Sequence, residues 1–422
     1  MSDRFYITGG TPLRGEVKLS GCKNGALPIL AATLLVQDVV TLTNVPQISD
    51  IEKMCRLMEL LGAKVTIAGN TVTVDARELT SIRPDRDLSA AMRASFYIIG
   101  PLLARLGQAE VPLPGGCAIG SRPVDYVVEA LEKLGVRAEE KTDVVVVSTE
   151  FGLKGATVTL NPQFRSPGAT FNVAMAASLA EGKTIIENAS ADPEVENFCA
   201  FLQAAGVNID GVGTNRLEIT GSKRLHGCTH EIVCDRIEAG TYLAAGLATR
   251  GKVRVSPIKP VYLESLLLKM EEMGAAVIRE EDAVTVRYEK PLRGVTVFTE
   301  PFPGFPTDLQ PLIVVLMCLA AGGSSIIEGI YDGRLTYVHE LRRMGAKVKL
   351  EDSRQATIEG VTELEGRAVE GADMRAGAAL VVAALAAHGE SKVAGLHYVL
   401  RGYEAMKEKL RGIGAQIDIK PE

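Results

Sequence analysis

The chain has 422 residues, of which 46% are hydrophobic and 23% charged, the balance of a globular protein of two or three ordinary domains. Its 46 basic and 52 acidic residues give a net charge of −6, which excludes a uniformly basic nucleic-acid binder while leaving room for a local cationic pocket. Aromatics are 5% and Trp is absent, so the core must be built from Ala, Val, Ile, Leu and Met. The longest apolar run, residues 312–321, falls short of the roughly 20 residues that cross a bilayer. The opening MSDRFYITGG lacks the apolar stretch of a signal peptide, and seven cysteines without a C-x-x-C pair fit reduced thiols better than a disulfide framework. The expectation is a cytoplasmic protein with no membrane insertion.

In chain order, one phrase recurs: an amphipathic helix ending in Gly, a small residue, then a strand. It reads LMELLGAKVTI, LEKLGVRAEE, FLQAAGVNID, MEEMGAAVIR, LRRMGAKVKL and LRGIGAQIDI, with its glycines at Gly62, Gly135, Gly206, Gly274, Gly345 and Gly414. Successive spacings of 73, 71, 68, 71 and 69 residues divide the chain into six units. A second phrase, an Ala-rich helix followed by a Gly turn and a β-branched strand, runs in step with the first, as in AMAASLAEGKTIIENAS and LAAGLATRGKVRVSPI. In the fourth unit Leu263, Leu266, Leu267 and Met270 form the stripe of a half-buried helix, and Gly274 supplies the left-handed residue that ends it. The Ala-rich helices are apolar on nearly every face and must be buried among other elements. One unit cannot bury such a helix alone. Three can, by packing their helices together with three sheets outside, so six units predict two lobes divided near 228–235, with a ligand cleft between them.

Several residues stand out along this frame. SGCKN at 20–24 is a Gly-containing turn opening the first apolar helix, able to offer amides and Lys23 to an anion or to be an ordinary turn. Cys55 falls on the stripe Ile51, Met54, Met58 and reads as core, as do Cys199 and Cys318. Arg93 follows SAAM in a predicted helix. LPGGCAIGSRPVD at 113–125 predicts a mobile loop presenting Cys117 near Arg122, whose charge favours the thiolate. In HGCTHEIVC, His226, Cys228, His230 and Cys234 would lie on one strand, where four ligands cannot wrap a tetrahedron, so a metal is not expected. Asp235 and Glu238 read as a capping box, and Asp308 has the place to cap the helix from Leu309. Arg334, Arg375 and Arg401 recur near helix starts. With Lys23 they suggest a cleft for a multiply anionic ligand carrying carboxylate and phosphate. No Gly-x-Gly-x-x-Gly, P-loop or hydrolase elbow is present, which disfavours hydride and nucleoside-triphosphate chemistry.

SGCKN, MRAS, PGGCAIGSRPVD, DRIEAGT, FPTDLQ and DMRA together resemble the enolpyruvyl transferase family over essentially the full length, specifically its UDP-N-acetylglucosamine 1-carboxyvinyltransferases. The resemblance implies an α/β (α+β) fold of two similar lobes, each three βαβαββ repeats with helices inside and sheets outside, an inside-out α/β barrel-like arrangement that agrees with the repeat count. The lobes would be 22–232, carrying Cys117, and 1–21 with 233–422, carrying Asp308, Arg334, Arg375 and Arg401. It also implies transfer of the enolpyruvyl group of phosphoenolpyruvate to the sugar 3′-hydroxyl with release of phosphate, the first committed step of peptidoglycan synthesis, without metal or organic cofactor.

By the same resemblance, Lys23, Arg122 and Arg401 would hold the phosphate of phosphoenolpyruvate, Arg334 and Arg375 its carboxylate, and Asn24 would border both substrates. Cys117 would be the acid toward the enol methylene and could form a covalent adduct. Asp308 would take the proton of the sugar hydroxyl. Arg93, the run Arg122, Pro123, Val124, Asp125 and Tyr126, the run Phe164, Arg165, Ser166 and Pro167, and Ile330 would line the UDP-sugar site.

Five positions depart from the family pattern: Asp332-Gly333 stands for Glu-Asn before Arg334, Leu400 for Asp before Arg401, Cys234 for Pro, and Phe302 for His. Those beside Arg334 and Arg401 bear on the acceptor sugar or the catalytic efficiency rather than on the reaction type. Rival readings are transfer to another nucleotide sugar, transfer to shikimate 3-phosphate by the sister enzyme, which is not built around a loop cysteine, and a non-catalytic nucleotide-sugar-binding regulator. Intact Lys23, Cys117, Asp308 and the arginines speak against the last.

Overall fold

A computed structural model describes residues 3–113, 125–141, 143–361 and 363–421. These divide into two compact units, one of residues 3–20 and 234–421, the other of 21–113 and 125–233. Each unit has its own apolar core.

At the centre of the first-named unit lie three helices buried on nearly all faces, Arg236–Ala248, Gln310–Cys318 and Met374–Ala386, which pack on one another. Their Ala, Val, Leu and Gly composition permits close approach on every side. Each fully buried Leu or Val contributes about 1.5–3 kcal/mol. Three four-stranded sheets accompany them, and each pairs one edge strand parallel and the remaining strands antiparallel. The N-terminal segment is woven into two of these sheets. Arg4–Thr8 lies between Glu390–Ala394 and Gln416–Lys420, while Arg14–Lys18 pairs parallel with Lys252–Ser256.

The other unit repeats the plan with Lys23–Thr33, Ile99–Leu106 and Pro167–Ala177 as its apolar helices. Thr229–Glu231, at its end, returns to pair parallel with Val39–Thr43 at its start. Gly100 marks a close approach of two of these helices, since a Cβ there would lie 2.9 Å from the Asn172 carbonyl oxygen. The architecture is the predicted one of buried helices with sheets around them. All six phrase glycines end their helices at positive φ, between 86° and 108°, as a left-handed terminus requires.

The second repeat is the least regular, with a three-stranded sheet among the described residues. Arg93 is not inside an α-helix there. The chain is extended at Met92 and Arg93 begins a 3-10 turn, Arg93–Ile98, that leads into Ile99–Leu106. Among the described residues no helix is long and apolar enough to cross a membrane.

Two predicted caps differ from expectation. Asp235 does cap its helix, accepting from the amides of Ile237 (2.8 Å) and Glu238 (3.0 Å). Glu238 does not close the box. Its carboxylate instead accepts from the Ser20 amide (2.8 Å) and from Lys409 Nζ (2.6 Å), because an ammonium and an amide from elsewhere in the unit reach it within the core. Asp308 is not the N-cap residue: it lies inside the 3-10 turn Thr307–Leu309, and its carboxylate accepts from two arginines.

Candidate active site

Asp308, Arg334 and Arg375 meet in one cluster of the unit comprising residues 3–20 and 234–421. Asp308 sits on the 3-10 turn entering Gln310–Cys318. Arg334 follows the strand Gly323–Ile327, and Arg375 lies in the first turn of Met374–Ala386. Asp308 and Arg375 are therefore placed by the starts of buried helices, while Arg334 sits in the turn between that strand and the helix Val338–Arg343. Arg334 Nη2 donates to Asp308 Oδ1 at 2.7 Å and Arg375 Nη2 to Oδ2 at 2.9 Å. Both guanidinium groups are almost wholly buried, whereas the carboxylate is about a quarter exposed. Burial works against the Arg375 charge, but Asp308, with Tyr403 and Asp235, more than offsets it and leaves its pKa raised.

Aromatic rings hold the two arginines. Tyr331 lies 5.5 Å from the Arg334 guanidinium and Tyr403 lies 5.9 Å from that of Arg375. Tyr403 is itself fixed by a hydrogen bond to Thr241 Oγ1 at 2.9 Å. The cluster has two full positive charges to one negative. Arg334 Nη1, Arg375 Nε and Gln310 Nε2 are buried donors without a hydrogen-bond partner among the described residues. Buried donors left over beside an excess of positive charge are what a carboxylate or phosphate oxygen would satisfy.

In the other unit, Lys23 opens Lys23–Thr33, and its Nζ lies 2.6 Å from Asp50 Oδ2. Asp50 is buried in the first turn of Ser49–Leu60. The SGCKN turn is less open than an anion cradle would be: the amides of Gly25 and Ala26 bond to the Cys22 carbonyl, and Cys22 Sγ is buried 3.6 Å from Glu194 Oε1. Asn24 is half-buried beside Lys23.

A second group gathers around Pro167–Ala177. The rings of Tyr126 and Phe164 are 6.4 Å apart, and Arg165 is held at φ 41°, a region that costs a non-Gly residue roughly 1–3 kcal/mol. Arg165 Nε is buried without a partner among the described residues. Ser166 caps the helix through the Ala169 amide (3.3 Å), and Pro167 occupies its first turn. Asp125 and Arg93 are exposed, and Ile330 and Arg401 are half-buried. Cys117, Arg122, Pro123 and Val124 lie outside the described residues, as does most of the predicted loop.

Of the departures, Asp332 is turned to Arg354, whose Nη2 is 3.0 Å from Oδ2, and Leu400 is exposed. The expected core thiols are core. Burial pushes Cys55, Cys199 and Cys318 up to about 12, far from a reactive thiolate. His230 bonds Asn197 Nδ2 at 3.0 Å, and no group of three or more His, Cys, Asp or Glu among the described residues could hold a metal ion. Sequence reading missed Asp50, Glu328, Tyr331 and Tyr403, because an Asp at a helix start reads as a cap and a Tyr in an apolar stretch reads as core.

The family model described as EPSP synthase (3-phosphoshikimate 1-carboxyvinyltransferase) matches residues 7–410. The chain is 46% identical to UDP-N-acetylglucosamine 1-carboxyvinyltransferase 2 of Carboxydothermus hydrogenoformans, over 99% of each chain. It is 44% identical to UDP-N-acetylglucosamine 1-carboxyvinyltransferase 3 of Caldanaerobacter subterraneus subsp. tengcongensis, over 98% of this chain and 99% of that protein. Among solved structures, the enolpyruvyl transferase NikO from Streptomyces tendae superposes with a TM-score of 0.89 at 24% identity over 99% of both chains. EPSP synthase from Acinetobacter baumannii gives 0.73 at 17% identity over 100% of both. These two similarities speak for the fold alone.

Proposed function

This chain belongs to the enolpyruvyl transferase family, on its UDP-N-acetylglucosamine 1-carboxyvinyltransferase branch, and we infer from that premise how its residues work. It is an enzyme that transfers the enolpyruvyl group of phosphoenolpyruvate to the 3′-hydroxyl of UDP-N-acetylglucosamine, the entry to peptidoglycan synthesis. Its two domains, 22–232 and 1–21 with 233–422, divide the work. Both substrates are small molecules, and the setting we assign is the cytoplasm.

In the addition, the sugar hydroxyl oxygen bonds to the central carbon of the enol while its proton passes to Asp308 and the methylene carbon gains a proton from Cys117. In the elimination, the new methyl group returns a proton to the Cys117 thiolate, the double bond re-forms in the product as the bond to the phosphate oxygen breaks, and the leaving phosphate takes the proton held by Asp308. Such a sequence needs an acid and a base on opposite sides of one double bond. Arg334 and Arg375 hold the donor carboxylate, and Lys23, Arg122 and Arg401 hold its phosphate, stabilising charge that moves between addition and elimination. Asp50 aims the Lys23 ammonium. Tyr126, Phe164, Arg165, Ser166 and Pro167, with Asn24, Arg93, Pro123, Val124, Asp125 and Ile330, receive the UDP-sugar.

The observation that carries this reading is the Asp308 cluster, a candidate base between two buried guanidinium groups that each keep an unmet donor. Phosphate release from phosphoenolpyruvate is expected with UDP-N-acetylglucosamine and not with shikimate 3-phosphate. Release with shikimate 3-phosphate alone would transfer the chain to the sister activity. A thiol-alkylating reagent is expected to label Cys117 first, more slowly with both substrates present, and to leave Cys55, Cys199 and Cys318 untouched until the protein unfolds. Mass-spectrometric mapping that found Cys22 or Cys228 labelled as fast would remove Cys117 from its special role.

A further inference from the structure

Glu328 lies directly after the strand Gly323–Ile327 and is buried, 1% exposed. A carboxylate in that position must find donors, and it finds three from two different segments. Oε1 accepts from the amides of Ile330 (2.9 Å) and Tyr331 (3.1 Å), and Oε2 accepts from Thr307 Oγ1 (2.9 Å). Its own backbone is held too, since its amide donates to the Arg354 carbonyl at 2.7 Å. Thr307 immediately precedes Asp308. Ile330 borders the proposed UDP-sugar site, and Tyr331 lies against Arg334, which in turn binds Asp308.

We propose that Glu328 is a positioning residue for the transfer: its one buried carboxylate locks the turn carrying Asp308 to the loop carrying Ile330 and Tyr331, so that base and acceptor contact keep one spacing. The proposal rests on the reading of Asp308 and Ile330 given above. A carboxylate with two oxygens is suited to this, because each oxygen serves a different segment and the group is rigid between them. Nothing in the apolar stretch SSIIEGI requires an acid for folding: an apolar residue would complete the strand but leave two amides and a hydroxyl unmet. Placement errors of about 1 Å in a base cost on the order of 100-fold in rate. The effect of losing the lock is therefore expected in turnover and in acceptor affinity, and not in donor affinity.

Three variants of the full chain test it: Thr307→Val, Glu328→Gln and Glu328→Ala, each assayed by phosphate release with both substrates varied and by thermal melting. Thr307→Val cuts only the link to the base and is expected to lower kcat about tenfold with both KM values unchanged. Glu328→Ala is expected to lower kcat about 100-fold and raise KM for UDP-N-acetylglucosamine about tenfold, with KM for phosphoenolpyruvate within twofold. Glu328→Gln keeps an acceptor for the amides and can donate to Thr307, so it should recover most of both. Amide hydrogen exchange at Ile330 and Tyr331, read without substrate, should speed up in Glu328→Ala only.

Wild-type kinetics in Thr307→Val and in a folded Glu328→Ala would overturn the proposal, as would equal losses in Gln and Ala with both KM values raised, the pattern of general destabilisation. If Glu328→Ala does not fold, Thr307→Val and Glu328→Gln decide alone. Failure of the underlying functional reading is separate: it shows as absent phosphate release in the wild type, with the exchange result intact.

Discussion

Replacing Asp308 with Asn is expected to reduce kcat about 1,000-fold while leaving KM for phosphoenolpyruvate unchanged or lower. Two effects set the size. Loss of a positioned general base costs about 100- to 10,000-fold. The second effect is on binding and has the opposite sign. Asp308 now takes one N–H from each of Arg334 and Arg375, at 2.7 and 2.9 Å. In the Asn variant those two buried guanidinium groups lose the carboxylate that bridges them, and an incoming carboxylate no longer competes for them.

Leaving buried charge uncompensated is costly, typically 3–5 kcal/mol for a broken buried pair. The substrate-free Asn variant should therefore melt well below wild type, and phosphoenolpyruvate should restore much of the difference. Steady-state phosphate release and melting curves with and without the donor check both halves. A variant within tenfold of wild-type kcat would remove Asp308 from the base role. A variant with donor KM raised 100-fold would assign it to donor binding instead. Arg375→Ala gives the contrasting signature, with kcat down and KM for phosphoenolpyruvate up together, because it removes a donor to the substrate itself.

Much of the architecture was legible because it is repeated. Six glycines in register with six amphipathic helices leave few alternatives, and each of Gly62, Gly135, Gly206, Gly274, Gly345 and Gly414 takes the left-handed φ that its place in the phrase required. The three apolar helices of each unit announce burial by their near lack of polar residues. What the period could not show is where the N-terminal strands go, since Arg4–Thr8 joins a sheet formed almost 400 residues later.

The site was legible in its charges but not in their supports. Asp308, Arg334 and Arg375 stand out as ions in apolar or Gly-rich context, and they do converge. Glu328, Tyr331, Tyr403 and Asp50 do not stand out, because a residue that orients another is defined by partners distant in sequence. The same reason misdirected two local readings. Capping is a short-range pattern, and for Asp308 and Glu238 a long-range partner of opposite charge outcompeted the amide that the pattern pointed to.

Glu238 leads to the second large effect, on stability rather than rate. It is buried at 2% side-chain exposure, and Lys409 reaches it from the helix Met406–Gly412 while also donating to Ser20 Oγ at 2.6 Å. Burial raises the Glu238 carboxyl to about 7, with Lys409 and the Ser20 amide pulling the other way. The folded-state pKa lies above the ordinary value of 4.5, so the folded protein holds the proton more tightly than the unfolded chain. The sign follows from linkage: this contribution to stability is complete below about pH 4.5, falls as pH rises, and is gone above about 7.

Lys409→Met removes the ammonium that makes the charged carboxylate tolerable, and its cost therefore depends on pH. At pH 8 the variant must bury an uncompensated carboxylate or take up a proton, and it should be less stable than wild type by about 3–5 kcal/mol. At pH 5.5 the carboxyl is protonated in both proteins, and the difference should shrink to about 1 kcal/mol, the worth of the lost hydrogen bonds. Adding Glu238→Gln to Lys409→Met should flatten the dependence, since the titrating group is then gone. Urea titrations of the three proteins at both pH values measure this directly. A Lys409→Met penalty equal at pH 5.5 and pH 8 would mean that Glu238 keeps one protonation state throughout that range, and would overturn its titration between them.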